Sequence, residues 1–533
     1  MIRINEIKMS LDSSKDDLLK KAAKLLKIKP SEIKKMNIAK KSVDARKKDN
    51  VMFTYSVEIE TDRDEELVAK ANNPKISIAV PYVYVLPENK RKSSLRPVIV
   101  GFGPAGMLAG IILAQSGLRP IILERGKDID ARQRDVNEFW TNKVLNEESN
   151  VQYGEGGAGT FSDGKLNTGI KSPLCRKVLE ELHEAGAPEE ILYSAKPHVG
   201  TDRLAIVVKN IRKKIIALGG EIRLECKLEK LIVANKAIHG VTYRDKDGKL
   251  IDLETDSVIL AIGHSARDTV EMLYNSGIEI IQKAFSVGAR IEHPQKLINK
   301  SQYGKFANHK ALGAADYKLA CHSLHERGAY TFCMCPGGTV VAAASEKGGV
   351  VVNGMSELAR DGENANSALL VGIEPDKFPS DHPLAGIYFQ REIEQKAFKL
   401  AGSNYTAPAQ LVGDFLNFRE SKELGDVKPT CPTGVTLASL DECLPQIVTT
   451  TMRSAIVEMN KKLDGFSLPD AVLTAPETRS SSPVRILRDE FFQANIVGLY
   501  PCGEGAGYAG GIVSAAVDGI KCAQAVLEDE HNF

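Results

Sequence analysis

Between Val51 and Glu60 apolar and polar residues alternate strictly. Val51, Phe53, Tyr55, Val57 and Ile59 face one way, and Met52, Thr54, Ser56, Glu58 and Glu60 the other. That period predicts a half-buried strand. Before it, Ser14-Lys15-Asp16-Asp17 has the form of a capping box, opening a helix that carries Leu18, Leu19, Ala22, Leu25 and Leu26. A second short helix from about Arg63 to Ala71 and a strand through Tyr82 and Tyr84 complete a small βαββαβ-like module over residues 1–90. The charged stretch Glu88 to Arg96 reads as a linker.

From Arg96 the pattern changes to strand, glycine turn, helix, strand. Further on, a helix from Asp202 to Ala217 ends at Gly219-Gly220. Short strands follow at Glu221–Glu225, Lys230–Ala234, Ile238–Arg244 and Leu250–Glu254, then the apolar run Ser257 to Gly263. Residues 285–470 mix strands and helices without a nucleotide fingerprint. The expected class is α/β: a Rossmann-type domain in two parts (91–284 and 471–533), an inserted α+β substrate or cap domain (285–470), and the N-terminal α+β module. With 533 residues, two or three domains of roughly 100–200 residues each are expected in any case.

The first turn carries the chemistry. Pro97-Val98-Ile99-Val100 runs into Gly101-Phe102-Gly103-Pro104-Ala105-Gly106 and a helix to Ser116, and Pro120 to Leu123 supplies a second strand ending in Glu124 and Arg125. Gly101 permits the turn, Gly103 lets backbone approach a pyrophosphate, and Gly106 brings helix and sheet together. The helix N-terminus offers N–H groups and its positive dipole end to phosphates. Glu124 is placed for ribose hydroxyls, and an acid there disfavours a 2′-phosphate. The glycine-rich segment from Gly154 to Leu166 is expected to pass the ligand through Gly157, Ala158, Gly159, Thr160, Ser162, Gly164, Lys165 and Leu166. Ala261 and Gly263 end a strand that passes the cofactor. Near the C-terminus, Gly503, Glu504, Gly510, Gly511 and Ile512 form a second strand–turn–helix. Glu504 resembles the acidic residue that hydrogen-bonds the ribityl chain in two-dinucleotide-binding flavoproteins, and the helix start would face a flavin edge, which favours FAD over NAD.

Composition narrows the setting. Net charge is +1, so no global field favours nucleic acid or membrane. Nine scattered cysteines fit a reducing compartment better than a disulfide framework. Neither a secretory signal nor an apolar run of about 18 residues is visible, so a cytoplasmic protein is expected. The basic cluster from Lys20 to Lys48 reads as an RNA- or anion-binding face or, more simply, as a solvated helix face and loop. No nucleic-acid motif accompanies it.

Other candidates are weaker. Cys333 and Cys335 are two residues apart, a poor match to a C-x-x-C redox pair and too few for zinc. They read as pocket-lining, as substrate or flavin contacts, or as a redox pair. Arg479 and Arg485 flank a Ser-Ser-Ser-Pro turn, which reads as a place where an arginine holds a substrate carboxylate or stabilises a reduced flavin or, equally, as a loop tied to the sheet by hydrogen bonds. His198, His264 and His293 are candidate acid/base groups. Spacing shows no metal site. No second G-x-G-x-x-G follows a strand, so NAD(P)H enters, if at all, as a transient reductant.

Across most of its length the sequence resembles bacterial FAD-dependent oxidoreductases of the NAD(FAD)-utilising dehydrogenase type. The resemblance rests on Ser42 to Lys48, Gly157 to Leu166, Phe332-Cys333-Met334-Cys335-Pro336-Gly337-Gly338, Arg479-Ser480-Ser481-Ser482-Pro483-Val484-Arg485, and Gly503 to Gly511. It implies a glutathione-reductase-like flavoprotein fold with an inserted domain, acting on a small-molecule substrate that it does not name.

Overall fold

The structure is a computed structural model that describes residues 1–322 and 328–530. Its N-terminal module is a βαββαβ unit whose four strands lie in the spatial order Lys35–Asp44, Met52–Glu60, Ile2–Met9, Ile76–Ile78, all antiparallel. Helix Lys15–Leu26 starts on the expected capping box, with Ser14 and Asp17 bonding reciprocally, and Asp64–Ala71 forms the second helix. Ile4, Leu18, Ala22, Val57 and Ile59 meet in its core.

Two expectations are corrected here. The Lys35–Asp44 part of the basic cluster is a strand, not loop, and it lies at the sheet edge, where charged side chains discourage pairing with other chains. It docks on the body of the protein: Lys41 N–H donates to Tyr193 O and Ala195 N–H to Lys41 O, both at 2.8 Å. The Tyr82–Tyr84 segment is not a strand. The last strand of the module is Ile76–Ile78, after which the chain runs without regular structure to Val98. Pro81 and Pro87 flank the alternating residues, and each withholds an N–H from any ladder.

A five-stranded parallel sheet comes next, in the order Leu499–Pro501, Val258–Leu260, Val98–Val100, Ile121–Leu123, Glu221–Arg223. The first strand in sequence is therefore central, and later strands add first on one side and then on the other. Where that order reverses, between Val98–Val100 and Val258–Leu260, a crevice opens at the strands' carboxyl ends. Helices Pro104–Gln115, Thr201–Ala217 and Ile512–Glu528 cover one face of this sheet through an apolar core. An antiparallel meander, Lys227–Ala234, Ala237–Arg244 and Leu250–Glu254, contributes to the core on the other.

The third body is a seven-stranded sheet in the order Ala320–His322, Gly328–Cys335, Asn364–Ile373, Phe285–Pro294, Val472–Glu477, Ala407–Leu411, Val435–Leu437. Helix Gln446–Asn460 packs on it in the largest apolar cluster. Strand Val472–Glu477, expected from sequence in the returning nucleotide domain, pairs instead in this sheet. Among the described residues no helix is long and apolar enough to cross a membrane.

Candidate functional site

Gly101 leaves its buried strand at φ +101°, and a Cβ there would lie 2.3 Å from Ala261 O. Only glycine fits. Gly106 is equally constrained, since its Cβ would fall 2.0 Å from Gly101 O. The helix from Pro104 has no side-chain cap at its start, so its first N–H groups face the cleft with their positive dipole end.

Glu124 ties this turn together. Its Oε2 accepts from Phe102 N–H and its Oε1 from Gly126 and Gly154 N–H, all at 2.9 Å. A carboxylate has about four acceptor positions, so Glu124 holds three glycine-bearing segments in register with three of them and keeps one for a ligand hydroxyl. Arg125 beside it pairs with Glu148 and Asp268 and lies 4.1 Å over the Tyr153 ring.

Sequence reasoning missed Arg132. This fully buried guanidinium donates to Asn150 O, Val151 O and Glu155 O at 2.8 Å and to Gly154 O at 3.3 Å. Burial among carbonyls without a carboxylate partner lowers it to about 10. It fixes the loop that leads into Gly156 and Gly157. The signal was present: Ile129, Arg132, Val136 and Phe139 form the buried stripe of helix Ile129–Asn142, and an arginine in an apolar stripe needs acceptors.

These elements enclose a cleft. Gly101, Gly103, Pro104, Ala105, Glu124, Arg125, Gly157, Ala158, Gly159, Ser162, Gly164, Lys165, Ala261, Gly263, Glu504, Gly510, Gly511 and Ile512 line it. Four expected contacts do not. Gly106 packs beneath Gly101, and Gly503 turns its N–H to Asp518 Oδ2 at 2.7 Å. Leu166 lies in the helical core, and Thr160 borders a small separate apolar cavity. The sequence also did not single out Cys226, Lys227 and Leu228, which line the cleft just after strand Glu221–Arg223.

The opposite wall comes from the seven-stranded sheet through Phe332, Cys333, Cys335 and Glu477, from Arg479 and Ser480 just after its strand Val472–Glu477, and from Asn353 and Gly354 of the two-stranded sheet Thr339–Ala342 with Val352–Met355. A β-bulge between Phe332 and Cys335 places Cys333 at φ +40° and turns it toward the cleft, whereas Cys335 is buried. Both thiols are free. Cys335 Sγ donates to Cys333 O at 3.2 Å, and burial pushes its thiol up. Beneath them Arg290, wholly buried, donates to Cys333 O at 2.8 Å and to Glu477 Oε2 at 3.2 Å.

The remaining candidates sort by their partners. Arg479 touches the cleft but is not the free carboxylate clamp the sequence allowed. It donates to Glu394 Oε1 and Oε2 at 3.1 and 2.8 Å and to Ser345 Oγ at 2.5 Å. His198 lies outside the cleft, with Nε2 3.2 Å from Leu358 O. His293 is a core residue: its Nε2 meets Phe466 O at 2.8 Å, and burial lowers it to about 4. Arg485 reaches Gly507 O at 3.3 Å, away from the cleft lining. His264 does line it, with Nδ1 3.5 Å from Glu504 Oε1. A buried trio, Cys502, Asp518 and Cys522, brings side-chain atoms within 4.8 Å of one another. Arg488 occupies Asp518 through bonds of 2.7 and 2.9 Å, setting a cation where a metal would need that carboxylate.

The residues present fit a dinucleotide. Gly263, Gly510 and Gly511 meet nothing within 4 Å at their Cβ positions, so they leave a smooth cradle. Two helix starts without side-chain caps, at Pro104 and Ile512, border it. His264 Nε2 is a buried polar atom without a hydrogen-bond partner among the described residues.

Fold and site together define an α/β protein with a glycine-lined cleft at the carboxyl ends of parallel strands. Residues 284–480 match the family model described as "FAD-dependent protein, C-terminal domain-like", and residues 1–60 match a domain of unknown function. An uncharacterized protein of Clostridium beijerinckii is 48% identical over 530 residues, covering 99% of this chain and 98% of that one. The chain belongs to one family with that protein. Among solved structures, a geranylgeranyl bacteriochlorophyll reductase-like protein from Thermoplasma acidophilum aligns at 12% identity and a TM-score of 0.36, over 81% of this chain and 78% of that chain. A 3-ketosteroid-Δ4-(5α)-dehydrogenase from Rhodococcus jostii aligns at 11% and 0.35, over 81% and 96%. Likeness this slight says nothing about substrate or reaction.

Proposed function

We propose that the protein is an FAD-dependent oxidoreductase. In this reading a Rossmann-type domain built on the parallel sheet holds the cofactor, and the seven-stranded sheet presents a small-molecule substrate. The observation that carries it is the continuity of the cleft, which runs from the Gly101 turn to Cys333 and Cys335 on the facing sheet. A long ligand seated on the turn therefore ends against a second wall with its own chemistry.

Bound FAD supplies a two-electron centre that exchanges a hydride at its N5. The chain supplies position and field. The turn and the Pro104 helix start take the pyrophosphate. Glu504 accepts from ligand hydroxyls, with His264 steadying it 3.5 Å away. The uncapped start of the Ile512 helix would hold the flavin with its positive end and would favour the negative charge of its reduced form. The facing sheet excludes water. NADH or NADPH enters as a transient reductant at the open face.

Anaerobic mixing of FAD-loaded protein with NADH, NADPH and a panel of organic acids, followed at the visible flavin band, tests this reading. Bleaching with at least one donor supports it. Full flavin occupancy with no bleaching by any of them counts against a dehydrogenase or reductase.

A further inference from the structure

In the wall of the cleft, Lys165 carries a buried ammonium that makes no hydrogen bond among the described residues. The Asp163 carboxylate stands 3.6 Å away, but Arg360 already holds it through two bonds of 2.8 and 2.5 Å. Burial opposes the charge on Asp163, yet Arg360 and Lys165 keep it below its ordinary value. Arg360, which holds Asp163, also abuts Gly337 just past Cys335, which sets the Lys165–Asp163 pair beside the facing sheet, and the Lys165 charge acts on the Cys333 and Cys335 thiols. There Arg290 is the second cation, and its partner Glu477 is raised by burial toward the neutral acid. Around this spot three cations, Lys165, Arg290 and Arg360, face two carboxylates. Even with both carboxylates ionised, one positive charge is left over, and it falls to the one amine without a hydrogen-bonding partner. A buried charge left unpaired is costly, so such a group is built to receive an opposite charge.

We infer that Lys165 is a substrate-binding residue that takes a carboxylate, and that the substrate class is a small organic monoacid. A single surplus charge matches a monoanion better than a phosphate dianion. This inference rests on the proposed flavin site but assigns Lys165 to the substrate, not to the cofactor. A neutral amide of the same shape would leave the ammonium unpaired and bind poorly.

The test uses FAD-loaded protein titrated with benzoate, benzamide and inorganic phosphate, read by the visible flavin difference spectrum and by calorimetry. Benzoate is expected to bind and to perturb the flavin band, with benzamide and phosphate weaker. Lys165→Met should weaken benzoate roughly 10- to 100-fold, the loss expected for one charge-assisted hydrogen bond, while FAD affinity stays within about threefold. Lys165→Arg should restore most of the benzoate binding. Three results would overturn the assignment: no benzoate response in the wild-type holoprotein, phosphate bound in preference to benzoate, or Lys165→Met losing FAD itself. Failure of FAD to bind the wild-type chain at all would instead sink the flavin reading, so the two failures are distinguishable.

Discussion

Glu394 and Arg479 form a two-point ion pair in the interior, Oε1 with Nε at 3.1 Å and Oε2 with Nη2 at 2.8 Å, and both side chains are almost wholly buried. Arg267 grips the same carboxylate from the nucleotide domain at 2.7 and 2.9 Å, and Thr478 adds a bond of 2.7 Å. One carboxylate on helix Ala385–Leu400 thus joins the start of helix Arg267–Asn275 to the segment after strand Val472–Glu477.

Removing its charge should be severe. Glu394→Gln leaves two buried guanidinium groups short of a counter-charge and is expected to cost about 3–5 kcal/mol. Burial would raise this carboxyl, but Arg267 and Arg479 hold it well below the ordinary range. A depressed acid contributes stability that is complete above its unfolded value, about 4.3, and is lost as pH falls toward the folded one. Urea unfolding should show the gap between wild type and variant closing as pH drops below about 4. A gap that stayed constant with pH would contradict the assignment.

His293 gives a slope in a different window. Its folded value, lowered from 6.5 to about 4 by burial, means that the unfolded chain takes up a proton first as pH falls. Stability is then present above about 6.5 and declines toward pH 4, by up to about 3 kcal/mol. His293→Gln should flatten that part of the profile and leave turnover unchanged, because the ring lies in the core against Phe466. A change in turnover at matched stability would make His293 an acid/base candidate again.

Arg132 should act through the loop it holds. Arg132→Met leaves four buried carbonyls without their donor and is expected to cost roughly 3 kcal/mol or more. Limited proteolysis should then cut within residues 150–157, and FAD affinity should fall with it. Unchanged protease resistance would mean the loop is held by other contacts.

The two thiols of the bulge should not store electrons. Cys335 Sγ bonds to a backbone oxygen rather than to Cys333 Sγ, so anaerobic titration with dithionite is expected to consume two electrons per FAD. Consumption of four, falling to two in Cys333→Ser, would establish a redox-active pair.

Much of this was legible in the chain because the features are local. The Gly101 turn, the Ser14 box and the Met52–Glu60 strand each come from a short run of residues whose spacing permits one geometry. What stayed hidden depends on partners far away in sequence. Nothing near Arg479 announces Glu394, and the cation is satisfied 85 residues upstream. The lysines of Lys35–Asp44 mask an edge strand, since an edge tolerates the charges that an interior strand would not. Tyr82 and Tyr84 erred the other way: correct alternation, but no neighbour to pair with. Arg132 was readable, since a polar intruder in a helical stripe is itself a signal.

The most direct measurement is cofactor binding by the chain and by its Gly101→Ala variant. Wild-type protein, purified or reconstituted, should hold one FAD per chain in the cleft. The variant, whose new methyl would sit 2.3 Å from Ala261 O, should bind it roughly 100-fold more weakly or worse while remaining folded. A folded wild-type chain that takes up no FAD, or a Gly101→Ala variant that binds it equally well, would contradict the account at its centre.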